Sequence, residues 1–244
     1  MVAMSNVRYG LSKTALAEWM ELVRRLASRP DVVEVGDVGG GAGPILGREE
    51  AHSLGLAYTV MDVSATELAK APAGYRTVVA DVAADGFTPD RRYDLVLSRF
   101  VAEHIERPSV FHRNVLRMLR PGGWATHYFP TLYAPPFLFN KLVPERVSDP
   151  LLHRLAEERD DAGPQGKFPA HYRWCRGPSR RQLERLRSTG FEVEDYAGFF
   201  GFGGYSPVRA VERLEDAFSA LLVRRPVWWY TAYAYVLLRR PGDP

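Results

Sequence analysis

The stretch EVGDVGGGAGPIL, Glu34–Leu46, decides how this chain is read. Before it, Asp31 to Val38 has the Val-rich pattern of a buried strand; after it, Pro44 to Leu54 has the pattern of a helix. Between them stand Gly39, Gly40, Gly41 and Gly43. A strand that passes through a glycine turn into a helix is how open α/β sheets hold nucleotide-like ligands. Glycine lets the backbone come close to the ligand, and the free N–H groups at the helix start face it.

Working outward, the same alternation repeats. Ala57–Met61, Arg76–Ala80, Tyr93–Leu97 and Trp124–Phe129 read as further strands, and Val110–Leu119 as a helix ended by Arg120-Pro121-Gly122-Gly123. An amphipathic helix over Ser12–Ser28 precedes them, with Leu16, Trp19, Met20, Val23 and Leu26 at helical spacing. Later come a helix over Ser179–Ser188, a strand over Phe191–Tyr196, a helix over Val208–Val223 and a strand over Trp228–Leu238. Alternating strands and helices imply right-handed crossovers and a parallel sheet covered on both faces. The expected fold is a single α/β domain on a Rossmann-like, seven-stranded, mostly parallel sheet.

The rhythm breaks between Pro130 and Pro178. This segment is too long for an ordinary connection, and only Leu151–Glu158 within it reads as helical. Its aromatics, Tyr133, Phe137, Phe139, Phe168, Tyr172 and Trp174, argue for order. The expected organisation is a helical cap over 1–30, a ligand-binding core over 31–129, a substrate-covering insertion over 130–178, and a helix–strand completion of the sheet over 179–244.

Composition narrows the function classes. Among 244 residues, 46% are hydrophobic and 25% charged, ordinary globular proportions. The net charge of +3 invites nucleic acid as a partner, but only four of the 32 basic residues are lysine and no nucleic-acid motif is present. A solvated, arginine-rich surface is the expected reading. The apolar run Val227–Leu238 is shorter than the ~20 residues a membrane helix needs, and no signal-like start is seen, so a cytoplasmic protein without a membrane partner is expected. The single cysteine, Cys175, excludes internal disulfides and a cysteine-rich metal cluster.

Two acidic residues compete as anchor of the turn. Glu34 leads Gly36 and Gly39; Asp37 leads Gly39, Gly41 and Gly43 as D-x-G-x-G-x-G, the more even spacing, and Asp37 is taken. A nicotinamide site needs G-x-G-x-x-G, yet Pro44 or Leu46 occupies the third glycine position. A phosphate-cradling loop needs a Gly-Lys-Ser/Thr sequence, and no lysine is near. Acidic residues closing strands suit a ligand that offers hydroxyl donors and a positive charge.

With Asp37 and DVGGGAG, Asp62 of YTVMD, Asp81 of VVADV, the strand YDLVLSRFVAEHI and the LRPGGW run in that order, the chain resembles the class I S-adenosylmethionine-dependent methyltransferases over Asp31–Phe129. The resemblance implies S-adenosylmethionine as cofactor, with S-adenosylhomocysteine as product. It implies that Asp37, Gly39, Gly40 and Gly41 bind the cofactor at the turn and that Asp62, followed by Val63, takes the ribose hydroxyls. Asp81 and the Val82 N–H would meet the adenine, and Ser98, Arg99 and Phe100 would border the methionine end. It also implies that Trp228–Leu238 is an antiparallel strand inserted beside Trp124–Phe129.

The expected reaction is methylation of a small molecule, with oxygen preferred over nitrogen or carbon as acceptor. Two histidines are candidates for a catalytic base: His104, of the Glu103-His104 pair that follows YDLVLSR, and His127, near the exit of the fifth strand, at the site's rim or in the core. His52 and His112 read as structural or surface residues of flanking helices. His171 and the arginines of HYRWCRGPSRR could reach a substrate or stand on the surface. The resemblance implies no metal, since Ser98-Arg99-Phe100 and Phe129-Pro130-Thr131 stand where the family's catechol-type branch has its acidic residue and Asp-Asn pair, and no H-x-x-x-H or cysteine pair offers a zinc site. The rival readings are a nicotinamide-dependent oxidoreductase and a non-catalytic S-adenosylmethionine-binding protein.

Overall fold

The computed structural model describes residues 7–132, 169–201 and 209–242, with the side chains of 209–212 excepted. It holds an eight-stranded sheet made of β1 (Val7–Leu11), β2 (Glu34–Val38), β3 (Ala57–Asp62), β4 (Arg76–Val79), β5 (Tyr93–Arg99), β6 (Leu119–Pro130), β7 (Glu192–Phe200) and β8 (Thr231–Arg239). Their order across the sheet is β1-β7-β8-β6-β5-β2-β3-β4. Every pairing is parallel except those of β8, which runs antiparallel between β6 and β7. The antiparallel strand lies where the resemblance puts it.

The sheet has eight strands rather than the expected seven. The addition is β1, inside the segment read as a helical cap. It extends the β7 edge in parallel, pairing Val7 with Tyr196 and Leu11 with Phe200. Five residues that run into a helix without a turn between them leave no punctuation in the sequence to mark a strand.

Helices cover both faces. On one face α1 (Ser12–Ala27) buries Trp19, Leu22, Val23 and Leu26 against Leu95, Leu97, Tyr128 and Tyr235. The Trp19 indole N–H donates to Thr126 Oγ1 at 2.9 Å, so this large side chain is enclosed without losing its hydrogen bond. On the other face α4 (Pro108–Met118) and α5 (Arg180–Arg187) bury Phe111, Val115, Met118, Leu183 and Leu186 against Val96, Ala125, Tyr196 and Val236. Each such side chain, fully buried, contributes about 1.5–3 kcal/mol. Pro108 opens α4, where its missing N–H has no partner to lose. The short α2 (Arg48–Ser53) and α3 (Ala65–Leu68) flank β3, and α6 (Arg209–Arg224) packs along β1 and β7.

Among the described residues no helix is long and apolar enough to cross a membrane. The expected helix over Leu151–Glu158, and Tyr133, Phe137, Phe139 and Phe168 of the insertion, lie outside the described residues.

Candidate functional site

The chain leaves β2 for β3 and β4 on one side and returns to β5 on the other, so the sheet's direction of growth reverses between β2 and β5. Open α/β sheets bind ligands outside the carboxyl ends of the strands at such a reversal. Strand register sets what stands there. Val38 pairs with Ser98 on one side and Met61 on the other, Asp62 pairs with Val79, and Ser98 pairs with His127. The glycine turn after β2 is thus flanked by Ser98 and by Asp62, with Asp81 two residues beyond β4.

The turn is fixed by its own chain. Gly39 donates to Met61 O at 2.7 Å and has φ +75°, and a Cβ there would lie 2.2 Å from Val101 Cγ2. Gly41 has φ +41°, and its Cβ would lie 3.0 Å from Asp62 Oδ2. A Cβ on Gly40 would meet the Asp37 carboxylate at 2.9 Å. Side chains at these positions would fill a narrow backbone cradle beside Asp62.

Asp37 works beneath that cradle. It is fully buried, and its Oδ2 accepts from Ile45 N–H at 2.8 Å and Tyr58 O–H at 2.7 Å. Burial pushes its carboxyl up to about 6, opposed by those two hydrogen bonds. Leu46 N–H in turn donates to the Tyr58 oxygen at 3.3 Å. These bonds satisfy the backbone donors of residues 45 and 46 outside a helix, and α2 begins only at Arg48. The expected start at Pro44 is corrected accordingly.

Asp62 is half-buried; its Oδ1 accepts from Ser64 N–H at 2.8 Å, while Oδ2 faces Gly41. Burial raises its pKa, and nearby Glu67 adds to the effect. Asp81 is exposed and closes its own turn by accepting from Ala83 N–H at 2.8 Å. That loop is clamped from behind by buried Asn114 of α4, whose amide donates to Val82 O at 2.8 Å and Ala84 O at 2.9 Å. Apolar side chains usually hide, yet Val63 is 58% exposed and Phe100 43% exposed at this end of the sheet. Phe100 also has φ +58°, a strained setting for a bulky residue. Its N–H donates to Tyr128 O, and Arg99 reaches Gly43 O at 3.3 Å.

Past β5, a 3-10 turn over Ala102–His104 carries the Glu103-His104 pair. His104 Nδ1 lies 3.3 Å from Pro169 O; a carbonyl only accepts, so Nδ1 bears the proton and Nε2 is the basic nitrogen. Glu103 O accepts from His171 N–H at 2.7 Å and Tyr172 N–H at 3.0 Å. The return end of the insertion is therefore stitched to the turn that follows β5. Tyr172, at φ +49°, is a second strained residue in the same place. Glu103 itself is buried, with Oε2 unpartnered among the described residues, and burial pushes its carboxyl up to about 8.

Of the two readings of His127, rim or core, the structure gives the core. The ring is fully buried below Ser98, with Nδ1 2.7 Å from Ser98 Oγ. His112, read as a structural or surface residue remote from the strand ends, is buried too, and its ring lies 5.3 Å from that of His127 and 5.7 Å from Trp174. Arg176 turns to its own backbone, donating to Tyr172 O and Cys175 O. Glu103 and Asn114 are the residues sequence reasoning missed, while for His112 the structural reading holds. Only the adjacency of Glu103 to His104 gave a signal.

Residues 11–196 match the sequence profile of a family described as a methyltransferase domain. Comparison with curated proteins gives no match. Among solved structures, the chain is similar to an S-adenosylmethionine-dependent methyltransferase from Mesorhizobium loti, at 20% identity and TM-score 0.51, covering 92% of this chain and 100% of that one. It is also similar to the [4+2]-cyclase SpnF, at 17% identity and TM-score 0.55, covering 99% and 88%. A third is phosphoethanolamine N-methyltransferase 2 of Haemonchus contortus, in complex with S-adenosyl-L-methionine, at 16% identity and TM-score 0.54. There the match covers 93% of this chain and 53% of the longer relative. At these identities the likeness is one of fold.

Proposed function

This chain belongs to the methyltransferase-domain family, and we propose that it transfers the methyl group of S-adenosylmethionine to a small-molecule acceptor, preferably at oxygen. The observation that carries this reading is the row Ser98, Gly39–Gly41, Asp62 and Asp81 along the carboxyl ends of adjacent strands. The residues fit the cofactor. The glycine cradle leaves room where a Cβ would press on Asp62, and Asp62 keeps Oδ2 on the side of that cradle.

Bound there, S-adenosylmethionine supplies an electrophilic methyl group on a positively charged sulfur. In this reading Asp62 accepts from the ribose hydroxyls, and Val63 and Phe100 give exposed apolar surfaces to the adenine and methionine portions. Asp81 and the Val82 N–H, held by Asn114, meet the adenine edge. Asp37 holds the turn in shape through Oδ2, beneath the cofactor. Ser98 to Phe100 border the methyl end, and His104 Nε2 takes the proton of an acceptor hydroxyl. The described end of the insertion, held at Pro169–Tyr172, borders the acceptor site. Orienting the acceptor in line with the methyl group is the largest contribution, worth up to roughly 7–11 kcal/mol in favourable cases.

The test is calorimetric binding of S-adenosylhomocysteine, followed by transfer of isotopically labelled methyl from S-adenosylmethionine to an acceptor panel. Asp62→Ala should weaken binding by about 1.5–3 kcal/mol, the scale of hydrogen bonds to a charged acceptor. Binding of NADH in place of S-adenosylhomocysteine would overturn the assignment. Because a cyclase shares the fold, the assay reads the transferred methyl itself.

A further inference from the structure

Between β6, α4 and α5 lies a small cavity bordered by Phe111, His112, His127, Trp174, Cys175 and Gln182, with room for about one water molecule. Most of its wall is apolar, but two residues that border it each carry a buried nitrogen with no partner among the described residues: His112 Nδ1 and His127 Nε2. Both residues are buried, at 6% and 0% exposure, and burial holds both imidazoles well below their usual pKa, so both are neutral. The other polar groups of the wall are engaged. Gln182 bonds Trp174 O and Arg185, and the Tyr196 hydroxyl donates to Arg176 O at 2.7 Å. The Cys175 thiol, its pKa pushed up by burial, stays protonated and is a weak partner.

A buried polar atom left unpaired costs about 1–3 kcal/mol, and buried waters are found where such atoms face a common space. We infer that one water molecule is bound between His112 Nδ1 and His127 Nε2, completing a hydrogen-bonded chain from α4 to Ser98. A neutral imidazole has one N–H and one lone pair, so the chain has two consistent senses. In one, the Ser98 hydroxyl donates to His127 Nδ1, His127 Nε2–H donates to the water, and the water donates to His112 Nδ1. In the other, His112 Nδ1–H donates to the water, the water donates to His127 Nε2, and His127 Nδ1–H donates to Ser98 Oγ. The tautomer of His112 thus decides whether the Ser98 hydroxyl proton is used inside the core or offered at the strand end. His112 is a positioning residue that acts through the water and His127. Its bearing on turnover rests on the proposed methyltransferase site; the water itself does not.

The test has two arms. In a crystal structure of the full chain at a resolution that orders water, a peak should lie within hydrogen-bond distance of both nitrogens and be missing in His112→Leu. In 15N-histidine spectra, wild-type His127 should show one tautomer. His112→Leu should shift its Nε2 resonance, and His112→Asn, which can present a polar atom in the same place, should restore it. Turnover in His112→Leu should fall by roughly fivefold, the rate equivalent of one hydrogen bond, with S-adenosylhomocysteine affinity unchanged and recovery in His112→Asn. A dry cavity, a water bonded to one ring only, or an unmoved His127 resonance would overturn the inference. If the chain transfers no methyl group, only the turnover arm falls, and the crystal and spectral arms still decide the water.

Discussion

At Glu103, three residues past the strained Phe100, burial has a consequence that can be measured as stability. In the unfolded chain this carboxyl loses its proton near 4.5, and in the fold near 8. Between those values the folded state holds a proton that the unfolded state has released, so unfolding becomes easier as pH rises. Below about pH 4.5 both states are protonated and the difference vanishes. Glu103→Gln keeps the shape and cannot titrate. Relative to it, the wild type should lose on the order of several kcal/mol between pH 4.5 and 8, read by denaturant titration at each pH. A wild-type-minus-variant difference that stays constant across that window would rule out a buried, protonated Glu103. His104, its neighbour, is tested by rate. On the proposed reading His104 Nε2 is the base, and His104→Ala should lower turnover on a hydroxyl acceptor about 10²–10⁴-fold while cofactor affinity holds. Full activity in that variant would leave positioning alone as the mechanism.

Among the elements, the glycine turn separates two reasons for having no side chain. Gly39 sits at positive φ with Val101 Cγ2 2.2 Å from where a Cβ would be, whereas the nearest atom to a Cβ on Gly43 is Arg99 Nη2 at 4.0 Å. Left-handed backbone costs about 1–2 kcal/mol for an alanine, and overpacking about 1–3 more. Gly39→Ala should therefore destabilise the fold by about 2–5 kcal/mol, and Gly43→Ala by less than about 0.5 kcal/mol. Equal denaturation midpoints for the two variants would show that the turn is not held by its own packing. The helix after the turn makes a related point. Its apolar residues promised a start at Pro44, but Ile45 and Leu46 are held by Asp37 of β2 and Tyr58 of β3 across the turn, and bonds to side chains of two flanking strands leave no helical pattern in the sequence.

For the whole molecule, what could be read in advance was what depends on near neighbours. Asp37, Asp62 and Asp81 close successive strands, so their gathering follows from parallel topology alone, and the antiparallel place of β8 followed from the resemblance. What depends on distant pairing could not be read. β1 is a strand because β7, nearly two hundred residues later, offers it an edge (about 189 positions separate Val7 from Tyr196). His112 lies on an amphipathic helix whose pattern shows a buried face but not that another imidazole waits opposite. Asn114 reads as an ordinary polar helix residue until the loop it clamps is folded beneath it.

The seat of β8 has a consequence for how the molecule is made. Strands synthesised early, β2 to β6, form neighbouring pairs as they emerge, but β6 and β7 meet only through β8, the latest strand of the sheet. Until Thr231–Arg239 has been translated, β6 and β7 each show a row of unpaired amides and carbonyls, and β1 has only β7 to hold it. Open strand edges recruit other chains. A nascent chain halted before residue 231 therefore holds the paired strands β2 to β6 beside an orphaned two-stranded ribbon, and this is the interval of biosynthesis in which its edges are most open to other chains.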